Sequence, residues 1–368
     1  MKISFIFPVY KEGKVLENIL KIMNSINSFE NIEIIVTVDN PTEEFLKKLK
    51  ILEKLKNTKI IISKERRGKV AAVNEASKRA NGDILIFLDS DVEISYIDIE
   101  KLLKDFDESD IVEFYKEIKD RSILGKFFNI EFTIYYDIIL PLVSKMRRSI
   151  VMNGGGFGVK RIVWEKLGGY KRVYVEDVDF AIRAYAHGFK YKLTKNLKLK
   201  IDPPKSWRQW FDQRKRWSIA VIEILLNHSK VVIDYILKYP YLALLLLLTN
   251  PIILFSILVI LIPYQLIYKT GYSFYLFLLN NLSFMYIFIT SFSAVLGFVS
   301  IFLLYLIYII LITAMIEIIS YIGKRKIYNP MWIILANLVY FPLYLTVLIY
   351  TVGYYIIFER PPKVNWKV

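Results

Sequence analysis

Acidic residues almost vanish from this chain after residue 240, and that asymmetry limits its possible folds more than any other feature. From Pro240 onward there are seven basic residues, Lys269, Lys324, Arg325, Lys326, Arg360, Lys363 and Lys367, against two acidic ones, Glu317 and Glu359. The first 239 residues hold 43 basic and 33 acidic side chains. One water-soluble globule does not combine an ordinary charged surface with a long stretch nearly free of charge. The split predicts a soluble domain carrying +10, over about 1–230, followed by a membrane domain carrying +5. Apolar stretches at 241–267, 274–291, 294–322 and 331–357 each approach or exceed the roughly 20 residues that cross a bilayer as helix. Four spans are therefore expected within 239–358, with 359–368 as a tail. Three spans plus a re-entrant segment is the alternative, because Asn280, Asn281 and Ser283 interrupt the second stretch. Positive charge does not orient the spans. Four crossings put Lys324-Arg325-Lys326 outside, and three put the basic tail outside. Disorder is excluded by a 55% hydrophobic and 15% aromatic composition.

Zero cysteines rule out disulfides, thiolate zinc and a cysteine nucleophile, and with only His187 and His228 a histidine-rich metal site is also out. A metal here must be held by carboxylates, which points to Mg²⁺ or Mn²⁺. Met1-Lys2 runs directly into Ile3-Ser4-Phe5-Ile6-Phe7, which reads as a strand rather than a leader. The first domain is expected to stay in the cytoplasm and the whole to be a multi-pass cell-membrane protein.

Short apolar runs at 3–7, 33–38, 58–62 and 84–88 alternate with helical patterns at 14–28, 43–55 and 70–80. That series implies an α/β fold with a mostly parallel sheet and flanking helices, whose ligands bind beyond the carboxyl ends of the strands. The residues at those ends carry the chemistry. Pro8-Val9-Tyr10-Lys11-Glu12 follows the first run and Asp39 the second. After the third, Lys64-Glu65-Arg66-Arg67-Gly68-Lys69 leads into a helix start, where cations and backbone N–H groups suit a phosphate, or merely form a solvated connection. The fourth ends in Asp89-Ser90-Asp91. Two carboxylates pointing the same way repel unless a cation lies between them, and a divalent ion bridging to phosphate would resolve that. Two turn-forming aspartates are the plainer reading.

Further on, Asn153-Gly154-Gly155-Gly156 allows close backbone approach to a ligand, or is simply a loop. Glu176-Asp177 opens a helix that runs to His187, placing Asp177 at or beside its N-cap. A capping role would explain that position. An ionised carboxylate beside a phosphate pocket is also what a general base requires. On a helix at 206–226, capped by Ser206, the residues Trp207, Trp210, Arg214, Trp217 and Val221 share one face, which by itself suggests packing or membrane-interface anchoring. A segment at 122–146, rich in Phe, Ile and Tyr yet carrying Lys126, Glu131 and Asp137, reads as an interfacial amphipathic helix or a buried core helix. Helix 206–236 is expected at the interface too.

Together these motifs resemble the family 2 glycosyltransferases, in particular the membrane-bound branch that includes the cellulose and hyaluronan synthases. The resemblance covers about residues 2–217 and implies the GT-A fold. Pro8, Tyr10 and Glu12 resemble the opening nucleotide loop, and Asp39 the base-contacting aspartate, although Asn40 stands where a second acid is usual. Gly68-Lys69-Val70-Ala71-Ala72-Val73-Asn74 resembles the segment lining the nucleotide, and Asp89-Ser90-Asp91 the D-x-D motif. There Asp91 would ligate the metal, and Asp89 would face both metal and nucleotide. Glu176-Asp177 is similar to the pair whose aspartate is the base, and Gln213-Arg214-Lys215-Arg216-Trp217 to Q-x-x-R-W. In that family the tryptophan stacks on the acceptor sugar and the arginine neighbours the diphosphate.

The resemblance implies inverting transfer from a UDP- or GDP-sugar to a lipid-linked or polysaccharide acceptor, with Mg²⁺ or Mn²⁺. Asp177 would be the base. Pro8, Tyr10, Glu12, Asp39, Lys69, Asp89 and Arg216, with Arg214 as a second cation, would hold the donor. Gly154, Gly155, Glu176, Gln213 and Trp217 would frame the acceptor. Unlike the large synthases the chain opens without membrane helices, so export of a long polymer through its own channel is not expected. A dolichyl- or polyprenyl-phosphate hexose synthase is the alternative within the family. A sugar-nucleotide nucleotidyltransferase and an inactive membrane scaffold are the alternatives outside it. The glycine-rich N-terminal loop of the nucleotidyltransferases is missing. Membrane lipids are expected partners, and nucleic acid is not, because the basic residues are dispersed.

Overall fold

A computed structural model describes residues 1–11, 13–25, 31–52, 55, 57–120, 122–242, 306–318 and 329–363. The chain divides into two units, Met1–Tyr239 with Val347–Val368, and Pro240–Thr346.

In the first unit, runs of branched apolar residues form strands β1 (Ile3–Tyr10), β2 (Ile32–Asp39), β3 (Thr58–Ser63) and β4 (Ile84–Leu88). Helices α1 (Val15–Asn24), α2 (Glu43–Leu52) and α3 (Lys69–Arg79) connect them. Strand β1 pairs in parallel with both β2 and β4, and β2 with β3. All five residues of β4 are buried, as its unbroken apolar run predicts. Phe5, Phe7, Val36 and Ile86 in the strands pack with Ile19 and Ile22 of α1 in one core. Each such side chain contributes roughly 1.5–3 kcal/mol by leaving water.

The rest of this unit comprises β5 (Glu93–Ile97), α4 (Ile99–Glu108), β6 (Ile111–Ile118) and α5 (Ile123–Thr133). A π-helical turn (Ile134–Ile139) joins α5 to α6 (Leu140–Lys145). Then come β7 (Gly156–Lys160), α7 (Arg161–Leu167), α8 (Glu176–Ala186), β8 (Tyr191–Ile201) and α9 (Trp207–Lys238). The eight strands form one sheet in the order β3-β2-β1-β4-β7-β6-β8-β5. The expectation of a mostly parallel sheet is corrected here to a mixed one. Strand β7 runs antiparallel to both β4 and β6, and β5 antiparallel to β8. The reason is β7 itself, Gly-Phe-Gly-Val-Lys, which is too short and glycine-rich to announce a strand yet inserts beside β4.

Order reverses between β1 and β4, since β2 and β3 lie on the far side of β1. That switch point opens a crevice at the carboxyl ends of both strands.

Helix α9 runs to Lys238, beyond the 206–226 stretch with the aromatic face and two residues past the interfacial helix expected to 236, and Ser206 caps it by accepting from the Gln209 N–H at 3.3 Å. The polar side chains of the 122–146 segment find partners inside the fold. Glu131 pairs with Arg214, and Asp137 accepts from Tyr115 Oη at 2.6 Å.

Among the described residues, two helices are long and apolar enough to cross a membrane, Ile123–Lys145 and Met331–Phe358, and the first is 67% buried. A shorter apolar helix is Leu306–Ile318. The expected spans at 241–267 and 274–291 fall outside the described residues apart from Tyr241 and Leu242, as does most of 294–322.

Candidate active site

Two cavities meet at the switch point. One, of about 330 Å³, is lined by Pro8, Val9 and Tyr10 at the end of β1, by Asp39, and by Arg66, Gly68 and Ala72. The other, of about 290 Å³, is lined by Glu176 and Asp177 of α8, Gln213, Arg216 and Trp217 of α9, Asn153, Gly155 and the rings of Phe128 and Phe132. Lys69, Asp89 and Asp91 line both. Glu12 lies outside the described residues.

In the first cavity the guanidinium of Arg66 sits 4.4 Å from the centre of the Tyr10 ring. Asp39 is buried and holds the basic loop in place. Its Oδ2 accepts from the N–H groups of Arg67 at 2.7 Å and Gly68 at 3.0 Å, and its Oδ1 from Arg67 Nε at 2.9 Å. Gly68 has φ +96°, a conformation that leaves its N–H aimed at Asp39 just before α3 begins. Lys69 follows as the first residue of that helix.

The Lys69 ammonium is the node between the cavities. It lies 2.9 Å from both Asp89 oxygens, 3.3 Å from Glu176 Oε1 and 3.4 Å from the Gly154 carbonyl. Burial alone would lower its pKa, but Asp89, Glu176 and Asp177 outweigh that and raise it, so Lys69 stays charged. Burial raises the Asp89 carboxyl, with Lys69 opposing and Asp91 adding to the rise. The two aspartates do not continue an extended strand. β4 stops at Leu88, and the Val92 N–H turns back to the Asp89 carbonyl at 3.3 Å. Asp89 therefore meets Lys69, while Asp91 is exposed.

Asp177 sits in the first turn of α8 rather than capping it, since Val175 is the N-cap residue. Its Oδ2 accepts from the Gly154 N–H at 2.5 Å. A side chain at 154 would place Cβ 2.8 Å from both Cβ and Oδ2 of Asp177, so this approach requires glycine. Burial first, and Glu176 second, push the Asp177 carboxyl up to about 6, against Lys69, the Gly154 N–H and Arg216. Burial lowers the Arg216 guanidinium, offset by the carboxylates of Glu176, Asp177 and Asp89.

The role expected of Arg214, a second cation on the donor, is corrected. Its guanidinium is fully buried and makes two bonds to Glu131, at 2.8 and 2.6 Å, with the Trp217 ring centre 4.3 Å away. It braces Trp217 from behind instead of adding charge to the cavity. The aromatic face of α9 divides accordingly, with Trp210 buried and Trp207 exposed.

A buried pair on β6 escaped sequence reasoning. Lys116 Nζ donates to the carbonyls of Asn153 and Gly156, both at 3.0 Å, and lies 3.4 Å from Glu113 Oε1. Tyr136 and Tyr191 hydroxyls donate to Glu113 at 2.7 and 2.8 Å. This network fixes both ends of the glycine loop that holds Asp177. The available signal was charge inside an apolar strand, since Glu113 and Lys116 interrupt the run from Ile111 to Ile118. Asp202 was also missed. It lines the Asp177 cavity and pairs with Lys14 at 2.5 Å.

That cavity has five carboxylates, Asp89, Asp91, Glu176, Asp177 and Asp202, and two cations, Lys69 and Arg216. The excess negative charge and all-oxygen donors fit a hard divalent ion. Among the described residues no three such groups converge closely enough to hold one alone. An ion there would complete its shell with water and phosphate oxygens, as Mg²⁺ commonly does.

Residues 4–131 match the family described as glycosyl transferase family 2. This stretch is similar to the family 2 glycosyltransferase domain. The match covers the first cavity, Lys69, Asp89 and Asp91, and stops before Gly154, Asp177 and α9. A probable glycosyltransferase, YdaM, of Bacillus subtilis is 26% identical over 235 residues, which cover 59% of this chain and 54% of that protein. An uncharacterised glycosyltransferase of Haemophilus influenzae is 36% identical over 103 residues, 27% of this chain and 40% of that protein. The chain thus spans about half the length of these curated relatives or less. Among solved structures, the mannosyltransferase PcManGT from Pyrobaculum calidifontis, in complex with GDP-Man and Mn²⁺, aligns with TM-score 0.46 and 19% identity over 59% of this chain and 61% of that one. Residues 1–349 of S. aureus TarS with UDP-GlcNAc align with TM-score 0.44 and 17% identity, over 61% and 67%. The matched family description and the names of both relatives are those of glycosyltransferases.

Proposed function

We propose that this chain is an inverting, metal-dependent glycosyltransferase that moves a sugar from a UDP- or GDP-sugar to a lipid-linked or glycan acceptor at a membrane. The observation that carries the reading is the wall of Lys69, Asp89 and Asp91 shared by two cavities, one of which contains Asp177. A donor whose diphosphate lies along that wall presents its sugar to the carboxylate on the other side.

The nucleoside occupies the cavity of Pro8, Tyr10 and Asp39, against the ring of Tyr10 and the plane of Arg66. Lys69 and Arg216 face the diphosphate with positive charge. Asp91, with Asp89, would hold Mg²⁺ or Mn²⁺, which when bound neutralises charge on the departing diphosphate. Asp177 takes the proton from the acceptor hydroxyl, whose oxygen bonds to the anomeric carbon as the bond to the diphosphate breaks on the opposite face. The diphosphate is a good leaving group, so a second carboxyl acid is not needed, in contrast to glycoside hydrolysis. Trp217 offers the acceptor a stacking surface, and Gln213, Glu176, Gly154 and Gly155 complete that wall. Residues 1–230 face the cytoplasm and 239–358 span the membrane. The apolar helix Met331–Phe358 and the apolar runs before it support that layout.

The test is a panel of labelled UDP- and GDP-sugars given to the purified full chain in liposomes, with lipid and polymer products separated. One donor is expected to label one product class, and Asp177→Asn to remove the labelling. No transfer from any donor, or undiminished transfer by the variant, overturns the reading.

A further inference from the structure

Helix α8 carries Asp177 at one end, and at its other end, roughly 15 Å away by helical rise, lies a separate cavity of about 480 Å³. Its lining includes Arg148, Tyr185, Lys230, Asp234, Lys238 and Tyr239, and shares no residue with the two cavities of the active site. Three cations face one carboxylate. Asp234 is engaged by the Tyr185 hydroxyl, which donates to it at 3.0 Å. The Arg148 fork is oriented by a bond from Nη1 to the Phe189 carbonyl at 3.2 Å. Lys230 and Lys238 are exposed. The cavity therefore suits an anion, and nothing in the transfer chemistry uses it.

The face of α9 beside those lysines is apolar and, among the described residues, exposed. Leu226, Ile233 and Leu237 are 64%, 56% and 74% exposed. Lys230 lies four residues after Leu226 and three before Ile233, so the basic and apolar rows run side by side on the helix surface. Helix α9 then ends at Lys238, immediately before the apolar run that opens at Tyr241.

We propose that this cavity binds the anionic headgroup of a phospholipid, with Arg148, Lys230 and Lys238 on the phosphate and the Leu226, Ile233 and Leu237 row against the acyl boundary. A soluble phosphate would satisfy the cations and leave that row in water. A lipid satisfies both, because an interfacial helix gains from buried apolar area and from attraction to anionic headgroups together. The proposal rests on the membrane reading given above. It adds a fixed point that would set the orientation of α8, and so of Asp177, relative to the bilayer.

The full chain in detergent, titrated with phosphatidylglycerol, is expected to melt at progressively higher temperature, and not to do so with phosphatidylcholine. Lys230→Gln/Lys238→Gln should raise the half-saturating phosphatidylglycerol concentration by about tenfold or more, since each cation near an anionic surface contributes measurably. Lys230→Arg/Lys238→Arg should restore the response. Both lysines are exposed, so the variants are expected to fold, with unchanged melting in the absence of lipid. Equal responses to the two lipids, an undiminished response in the glutamine variant, or the same shift with inorganic phosphate at matching concentration each overturn the proposal. Membrane association is read separately by alkaline carbonate extraction. A chain released by carbonate that still distinguishes the two lipids defeats the spanning layout alone, and a retained chain that does not distinguish them defeats the headgroup site alone.

Discussion

Asp177 is a carboxylate kept in an environment that disfavours its charge. Its pKa of about 6, set first by burial and then by Glu176, means that it is ionised at neutral pH at some energetic cost. Sugar transfer is therefore expected to rise with pH through about 6 and level off above it, measured as kcat/KM across pH 5–8. Stability runs the other way. Between the ordinary carboxyl value of 3.8 and about 6, the folded protein holds a proton that the unfolded chain has released, so stability falls as pH rises through that window. Asp177→Asn removes the penalty and keeps an oxygen for the Gly154 N–H. The variant should lose about 10²- to 10⁴-fold in transfer yet gain about 1 kcal/mol in denaturant unfolding, partial exposure of the group limiting the gain. The motifs that mark Asp177, Lys69, Asp89 and Arg216 as candidates are legible because each is a short run of consecutive residues. The contrast between Arg214 and Arg216 is not. Both are arginines in one turn of α9, and only the position of Glu131 on another helix decides which is buried.

Elements carry these residues into register, and two substitutions test how. Gly154→Ala would bring a methyl group 2.8 Å from Asp177, moving the first turn of α8 away from the loop. Transfer should fall by about a hundredfold, the order expected for a misplacement near 1 Å, with circular dichroism unchanged. Glu131→Gln leaves the fully buried Arg214 without its counter-charge between α5 and α9. That should cost about 3–5 kcal/mol in unfolding free energy and loosen Trp217, which stands against Arg214. Strands β1 to β4 and helices α1 to α3 were readable because each has an uninterrupted apolar period of its own. Strand β7 has none, and its place between β4 and β6 is decided by those neighbours. Helix α9, expected over 206–236, ends within two residues of that bound. The observed helix continues to Lys238, with Tyr235 buried near its end.

At the scale of the molecule, two experiments address what the parts do together. Removal of divalent ions with a chelator should reduce transfer at least about hundredfold, since a bound ion supplies several kcal/mol of charge stabilisation. Added Mg²⁺ or Mn²⁺ should restore it. The intact chain should remain with membranes through carbonate washing and leave them only in detergent. By itself the sequence determined the change of composition near residue 240, the α/β character of the first part and the short motifs at its strand ends. Those properties follow from local composition and period, which a chain carries before it folds. Tertiary structure alone decided that Lys69 of α3, Asp89 after β4 and Glu176 of α8 meet at one ammonium group. It also decided that Glu113 and Lys116 sit behind the loop at Gly154. These contacts join residues far apart in sequence, and they form only when a mixed sheet has brought those residues to the same edge.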